Sequence, residues 1–267
     1  MTSRTVEAPA ATQPTAHHRP IPMTRILGVE LRKMFDTRSG FWLLASIGVC
    51  AVLATAAVIL FAPRAELTYE TFATAIGFPM AVVLPMVAIL SVTSEWSQRT
   101  GLTTFTLVPS RARVIVAKLV DAVAIGVASM LVAGAVGAVG NVLGTAIAGV
   151  ETSWNVSLAD YAMIILANVL GMLVGFMLGV LFRSSAAAIV AYFVFSLLLP
   201  TVSGALSSTQ GWYRHAMPWF DFNHAQSALF NGVPDADEWA HLGTAGLIWL
   251  VAPLAIGLWL LMRSEVK

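Results

Sequence analysis

Six apolar segments, each long enough to cross a bilayer, leave this 267-residue chain few ways to fold. A helix rises about 1.5 Å per residue and the hydrocarbon layer is about 30 Å thick, so a crossing takes about 20 residues. Phe41–Ala62, Phe72–Val92, Leu119–Val139, Tyr161–Phe182, Ala186–Leu206 and Leu242–Met262 all reach that length, and Asp121 is their single ionisable side chain of the Asp, Glu, Lys, Arg or His type. Backbone N–H and C=O groups find no water inside lipid, so segments of this kind must satisfy them internally as helices. Charged residues make up 11% of the chain, whereas a soluble domain uses roughly 25%. The expectation is an all-α integral membrane protein with six transmembrane helices.

The basic residues orient it. Placing the N-terminal tail, the loops after the second and fourth spans and the C-terminus in the cytoplasm puts 13 of the 15 Lys and Arg residues there; Arg64 and Arg214 fall outside. Cytoplasmic loops are the ones rich in Lys and Arg, so both termini are predicted to be cytoplasmic. The loop Thr93–Lys118 carries Arg99, Arg111, Arg113 and Lys118. It opens on Glu95 and Trp96, turns at Gly101, runs apolar from Leu102 to Val108 and meets Pro109 before the basic cluster. That order suits a short helix beneath the membrane, where a soluble partner can push on the spans. Residues 1–22 are rich in Ala, Thr and Pro, lack an apolar signal-peptide core, and are expected to form a disordered cytoplasmic tail. The single Cys50 excludes an internal disulfide.

Met23–Arg38 has helical periodicity but too many charges to span. Met23, Leu27, Leu31 and Met34 share one face, while Arg25, Glu30, Arg32, Lys33 and Asp36 lie mostly on the others. Such a helix suits the interface, with its apolar face in lipid and its basic residues toward anionic headgroups; the alternative is a plain extension of the first span. The second span contains Gly77, Pro79 and Pro85, so it should bend, which lipid tolerates only where neighbours satisfy the freed carbonyls. In the third span Asp121 lies three residues after Lys118, and a local ion pair accounts for it better than a proton relay. Gly171, Gly175 and Gly179 form a ridge on the fourth span suited to close helix packing. Arg183 to Ser185 make a minimal turn. Between Ser207 and His241, residues 212–230 are aromatic and are expected to form a short helix on, or dipping into, the outer leaflet.

Much chemistry has no sequence support. No GxxxxGK[ST] phosphate loop, HExxH, CxxC, GxSxG or GxGxxG is present, so the chain is not expected to be an enzyme or to hold a cofactor of its own. His215, His224 and His241 near Asp221 and Asp235 match no strong metal-ligand spacing, and no basic, aromatic surface suits a nucleic acid. The spans lack the buried titratable groups of an ion-coupled transporter, so the energy for any transport should arrive from outside them.

Residues 23–267 resemble the permease subunit of the ABC-2 family, the ATP-driven exporters of bacteria. The likeness rests on the amphipathic elbow, with Leu27, Leu31, Arg32, Lys33 and Met34, and on the segment between spans two and three. There Glu95, Gly101, Pro109, Arg111, Arg113 and Lys118 carry the family's acidic residue, glycine, proline, basic patch and lysine. The external helical dip before the sixth span also fits. The resemblance implies a permease domain over 23–267 in the bacterial inner membrane, in contact with membrane lipid. It implies a second permease copy or homologous subunit, and a separate P-loop ATPase subunit that binds ATP and magnesium. It also implies that Glu95 and the apolar run containing Leu107 dock the ATPase while Arg111, Arg113 and Lys118 hold the loop to the membrane. The rival reading is a membrane-embedded structural or signalling partner without transport activity.

Overall fold

The computed structural model describes residues 21–97 and 111–263, with the side chains of Ser39, Glu95, Ser97 and Arg111 left out. The predicted tail up to residue 20, and Arg99, Gly101, Leu107 and Pro109, lie outside the described residues. Among the described residues the structure is helical, with six helices long and apolar enough to cross a membrane: Gly40–Phe61, Tyr69–Ser94, Ala112–Ala148, Leu158–Phe182, Ser185–Thr209 and Ala236–Arg263. The chain is a multi-pass, all-α membrane protein. A further helix, Met23–Asp36, precedes the spans. The end of the bundle that carries Lys118 is called the basic end below, and the end that carries Glu70 and Asp160 the acidic end.

Spans two and four form the centre. In their most apolar 18-residue stretches, half of the second and 61% of the fourth are buried, against 17% of the first and of the fifth, so the outer spans present their apolar surface to lipid. In lipid an apolar side chain gains little by moving from an acyl chain to another helix, and close fit must hold the bundle together. The glycine ridge supplies that fit within the subunit. A Cβ on Gly175 would lie 2.7 Å from the Pro85 carbonyl oxygen and 3.0 Å from Pro85 Cα, and one on Gly179 would lie 3.4 Å from the Ile89 carbonyl oxygen. Bare backbone thus meets backbone at Pro85 of span two. Met80, Leu84, Ala88 and Val92 of span two interlock around this seam with Met172, Phe176 and Val180 of span four.

The carbonyl freed by Pro85 has a specific partner. Proline lacks the N–H that would reach back four residues, to the Ala81 carbonyl. The Tyr192 hydroxyl of span five donates to that carbonyl at 2.7 Å, which is the neighbouring-helix rescue that a proline-broken span requires. Replacing Tyr192 with phenylalanine should cost about 1–2 kcal/mol by leaving the carbonyl bare. In a Pro85→Ala background, where the helix can supply its own N–H, the same change should cost much less. Thermal unfolding of the four proteins in one detergent measures the difference.

The third helix runs over Arg111–Ala148, well beyond the expected Leu119–Val139. Its 38 residues make about 57 Å, nearly twice the hydrocarbon thickness. At the basic end it carries Arg113 and Lys118 inside helix. At the acidic end Gly140 and Gly144 continue it, because the ring of Phe72 lies against both; a Cβ on Gly144 would be 3.0 Å from Phe72 Cζ. Phe72 is fully buried there. The helix closes at Gly149, whose φ of +69° lets the Val150 N–H turn back to the Thr145 carbonyl at 3.0 Å. The following loop is stitched to its neighbours: the Asn141 amide donates to Ser153 O (2.8 Å), the Tyr69 N–H also reaches Ser153 O (3.2 Å), and the Glu70 N–H donates to Asn155 Oδ1 (3.0 Å).

Spans five and six are longer than Ala186–Leu206 and Leu242–Met262, and each contains a π-helical turn, Val194–Leu198 and Leu247–Val251. Each turn stands just before a proline, Pro200 and Pro253; widening the turn ahead of the ring relieves its clash with the carbonyl four residues back. Between these spans the expected single helix 212–230 is instead two, Gly211–Phe220 and Phe222–Ser227, parted at Asp221. The Asp221 carboxylate takes the His224 N–H and a hydroxyl bond from Ser203, capping the second helix and holding the corner to span five. The segment dips, as expected. Phe222, Ala225 and Leu229 are buried against spans four and six, and Gln226 Nε2 donates to Ala167 O at 2.6 Å. Ala167 lies nine residues into span four, about 14 Å along its axis.

Candidate functional site

The helix Met23–Asp36 brings a set of charged side chains together at the basic end. Its inward face is Ile26, Glu30 and Met34, spaced by four, beside the apolar face Met23, Leu27, Leu31 and Met34 expected to lie in lipid. Ile26 is buried and Met34 half-buried against the core, while Leu27 is half-buried and Leu31 and Arg32 are exposed. The periodicity located the apolar stripe but not the edge of it that the protein covers. Leu31 and Phe35 remain on the open edge, where an interfacial helix keeps its lipid-facing residues.

Glu30 is the residue the periodicity misplaced. It is 4% exposed, and its carboxylate accepts from Lys118 Nζ of the third span at 2.5 Å and from Lys33 Nζ at 2.7 Å. Lys118, equally buried, also donates to the Ser91 carbonyl of span two at 3.0 Å. One ammonium therefore ties three helices. The expected local pair of Lys118 with Asp121 gives way to this long-range one, because Lys118 faces the N-terminal helix. Asp121 is buried nearby within electrostatic reach of both, and its Oδ2 has no hydrogen-bond partner among the described residues. Burial pushes the Glu30 carboxyl up, but Lys118 and then Lys33 outweigh it and hold the group below its ordinary value of 4.5. A second tie runs beside the first: Arg113 Nη2 donates to the Ile21 carbonyl at 2.5 Å, just ahead of the N-terminal helix.

The remaining predicted residues sit around this joint. Glu95 lies in the last turn of the helix Tyr69–Ser97, and Arg111 opens the helix Arg111–Ala148. Gly101, Leu107 and Pro109 belong to the stretch outside the described residues. Nearby, the Thr93 and Ser185 hydroxyls share a bond of 2.7 Å that joins the end of span two to the start of span five, and Arg183 takes the left-handed conformation that closes span four. Gly171, Gly175 and Gly179 lie within the packing of one subunit, Gly179 nearest this end against Ile89 and Val92. At the acidic end His241 meets the edge of Trp219, and among the described residues no three His, Cys, Asp or Glu side chains gather as metal ligands.

Set against protein-family models and against curated proteins, the chain matches none. Glu30 is the residue of this joint that sequence reading missed. The available signal was a carboxylate four residues from Ile26 and from Met34 on an otherwise apolar stripe, with one lysine at the head of a span to receive it.

Proposed function

We propose that this protein is the transmembrane permease subunit of an ATP-driven exporter of the ABC-2 type, working in the bacterial inner membrane with both termini cytoplasmic. The observation that supports it is the buried tie from Glu30 through Lys118 to the Ser91 carbonyl. Spans two and three flank the loop on which a soluble partner would act, and this tie locks both to a helix outside the spans. A push on the loop would then move the N-terminal helix and the two spans together, because breaking a buried pair leaves an uncompensated charge. The chain has no phosphate loop, so the work would come from a separate P-loop ATPase that binds ATP and magnesium. A second permease copy or a homologous subunit would complete the pathway. Glu95, Gly101, Leu107, Pro109 and Arg111 would form the contact with the ATPase and the headgroups, and Arg113 and Lys118 would carry the movement onward.

The experiment is affinity purification of the tagged protein from its own membranes, followed by ATP hydrolysis on the recovered complex. A P-loop ATPase should co-purify. Leu107→Asp should weaken that association by an order of magnitude or more, since an unpaired carboxylate buried in an interface costs several kcal/mol. Recovery of the chain without any ATPase, or an unaltered complex with Leu107→Asp and Glu95→Ala, would sink the proposal. The first outcome would favour a structural or signalling partner.

A further inference from the structure

At the acidic end, between spans two and four, a cavity of about 430 Å³ opens beside the loop 230–232. Two carboxylates stand in its wall, Glu70 and Asp160, with Asn155 and Asn231, beside the exposed rings of Phe78 and Phe230. Through Phe78, Ala81 and Phe230 it borders a second cavity of about 270 Å³. This inner one is walled by Asn168, Tyr192, Asn223 and Gln226. Among the described residues neither cavity has a Lys, Arg or His in its wall. The loop at the mouth is shaped to approach the acid: Gly232 has a φ of +124°, and a Cβ there would lie 3.3 Å from Asp160 Oδ1. The other oxygen of Asp160 is spent on the Ser157 hydroxyl and N–H that cap span four.

The polar side chains of the inner wall are tied to carbonyls of the helices around them. Asn168 is 4% exposed and its amide nitrogen donates to Ile164 O at 2.9 Å. The amide nitrogens of Asn223 and Gln226 donate to Phe195 O and Ala167 O, and the Tyr192 hydroxyl donates to Ala81 O. Clefts of this size with an apolar lining and a few convergent polar groups are the usual form of a small-molecule site.

From the carboxylates at the mouth, the apolar lining and the lack of a cation among the described wall residues, we propose that the two adjoining cavities bind an amphiphilic ammonium ion, its charge at Glu70 and Asp160 and its apolar body along Phe78 and Phe230. An anion is disfavoured by two negative charges with no compensating cation in the wall, and a low-dielectric site sharpens that preference. The site does not depend on the export reading, since binding is a property of this chain alone.

The test uses the full chain in nanodiscs of phosphatidylcholine and phosphatidylglycerol, with empty discs as the blank. The probe is 1-naphthylmethylammonium, and its shape-matched anion is 1-naphthylacetate; equilibrium dialysis reads both. The cation should bind saturably and at least about tenfold more tightly than the anion. Glu70→Gln with Asp160→Asn should remove that preference. Gly77→Phe, at a wall position with open space beyond it, should abolish binding of the cation by filling the outer cavity. Glu70→Gln alone, at an exposed side chain, serves if the double variant fails to fold, and should lower affinity severalfold. Phosphatidylethanolamine in the disc tells two sources apart: competition assigns the site to an aminolipid headgroup, and undiminished binding assigns it to a free amine. Equal binding of the anion, or unchanged cation binding in the Glu70 and Asp160 variants, overturns the proposal. So does cation binding that survives Gly77→Phe. A failed search for an ATPase partner would leave these results standing, and failure here would leave the export reading to its own test.

Discussion

Gly175→Leu is expected to destroy the folded bundle, while Gly204→Leu is expected to leave it intact. Both glycines sit in apolar spans, and hydropathy does not tell them apart. The Cβ of any residue at 175 would fall 2.7 Å from the Pro85 carbonyl oxygen, which is backbone and cannot turn aside. Relief requires spans two and four to separate along the seam that holds the largest core cluster. Overpacking of this kind costs about 3 kcal/mol or more. A bundle in lipid has no strong hydrophobic force to draw the helices back together. Gly204 has no heavy atom within 4 Å of its would-be Cβ, so leucine there only replaces lipid contact. Expression, a monodisperse elution profile in detergent and thermal unfolding should all separate the two variants. If Gly175→Leu elutes and melts like the parent, the central seam is not as described.

The second large effect is expected at the Glu30–Lys118 tie. Lys118→Met removes the charge that holds a nearly inaccessible carboxylate, leaving only Lys33, which is 43% exposed. Breaking a buried pair from one side typically costs about 3 kcal/mol or more. Glu30→Met with Lys118→Met should recover most of that, because no buried charge of the pair then lacks its partner; Asp121 close by would be relieved of one like charge and deprived of one opposite charge. The pair also has a pH signature. Glu30 is held below its ordinary 4.5 in the folded protein, so its contribution is fully present above that value and is lost as pH falls through the lower, folded value. Parent and Glu30→Gln should therefore differ most in melting temperature near neutral pH and converge as pH falls through the folded value, below 4.5. A gap that persisted unchanged into acid would mean that Glu30 is not ionised in the fold. The same variants bear on the export reading: if the tie transmits movement, Glu30→Gln should lower substrate-stimulated ATP hydrolysis more than it lowers complex formation.

The six spans, the carbonyl freed by a proline of span two, the close packing of the glycine ridge and the helical segment before span six are all legible in the sequence. Each follows from a local rule: the length needed to cross lipid, the missing N–H of proline, the missing side chain of glycine, and the preference of aromatic residues for an interface. The ends of the third helix were not legible. Charged residues at one end and a glycine-rich run at the other look like boundaries, but Glu30 compensates Lys118 and the Phe72 ring supports Gly140 and Gly144, so the helix continues through both. The same reasoning applies to Asp121. Its nearest opposite charge in sequence is Lys118, and only the packing of the N-terminal helix gives that lysine a better partner. Which face of the glycine ridge is used, which hydroxyl rescues the Ala81 carbonyl and which carboxylates share a cavity are likewise matters of contact between distant segments. A solvent without hydrogen bonds dictates helices residue by residue, and that part is written in composition and spacing. Which helix faces which depends on shape and on where each buried polar atom finds its partner, and those partners lie far apart in the chain.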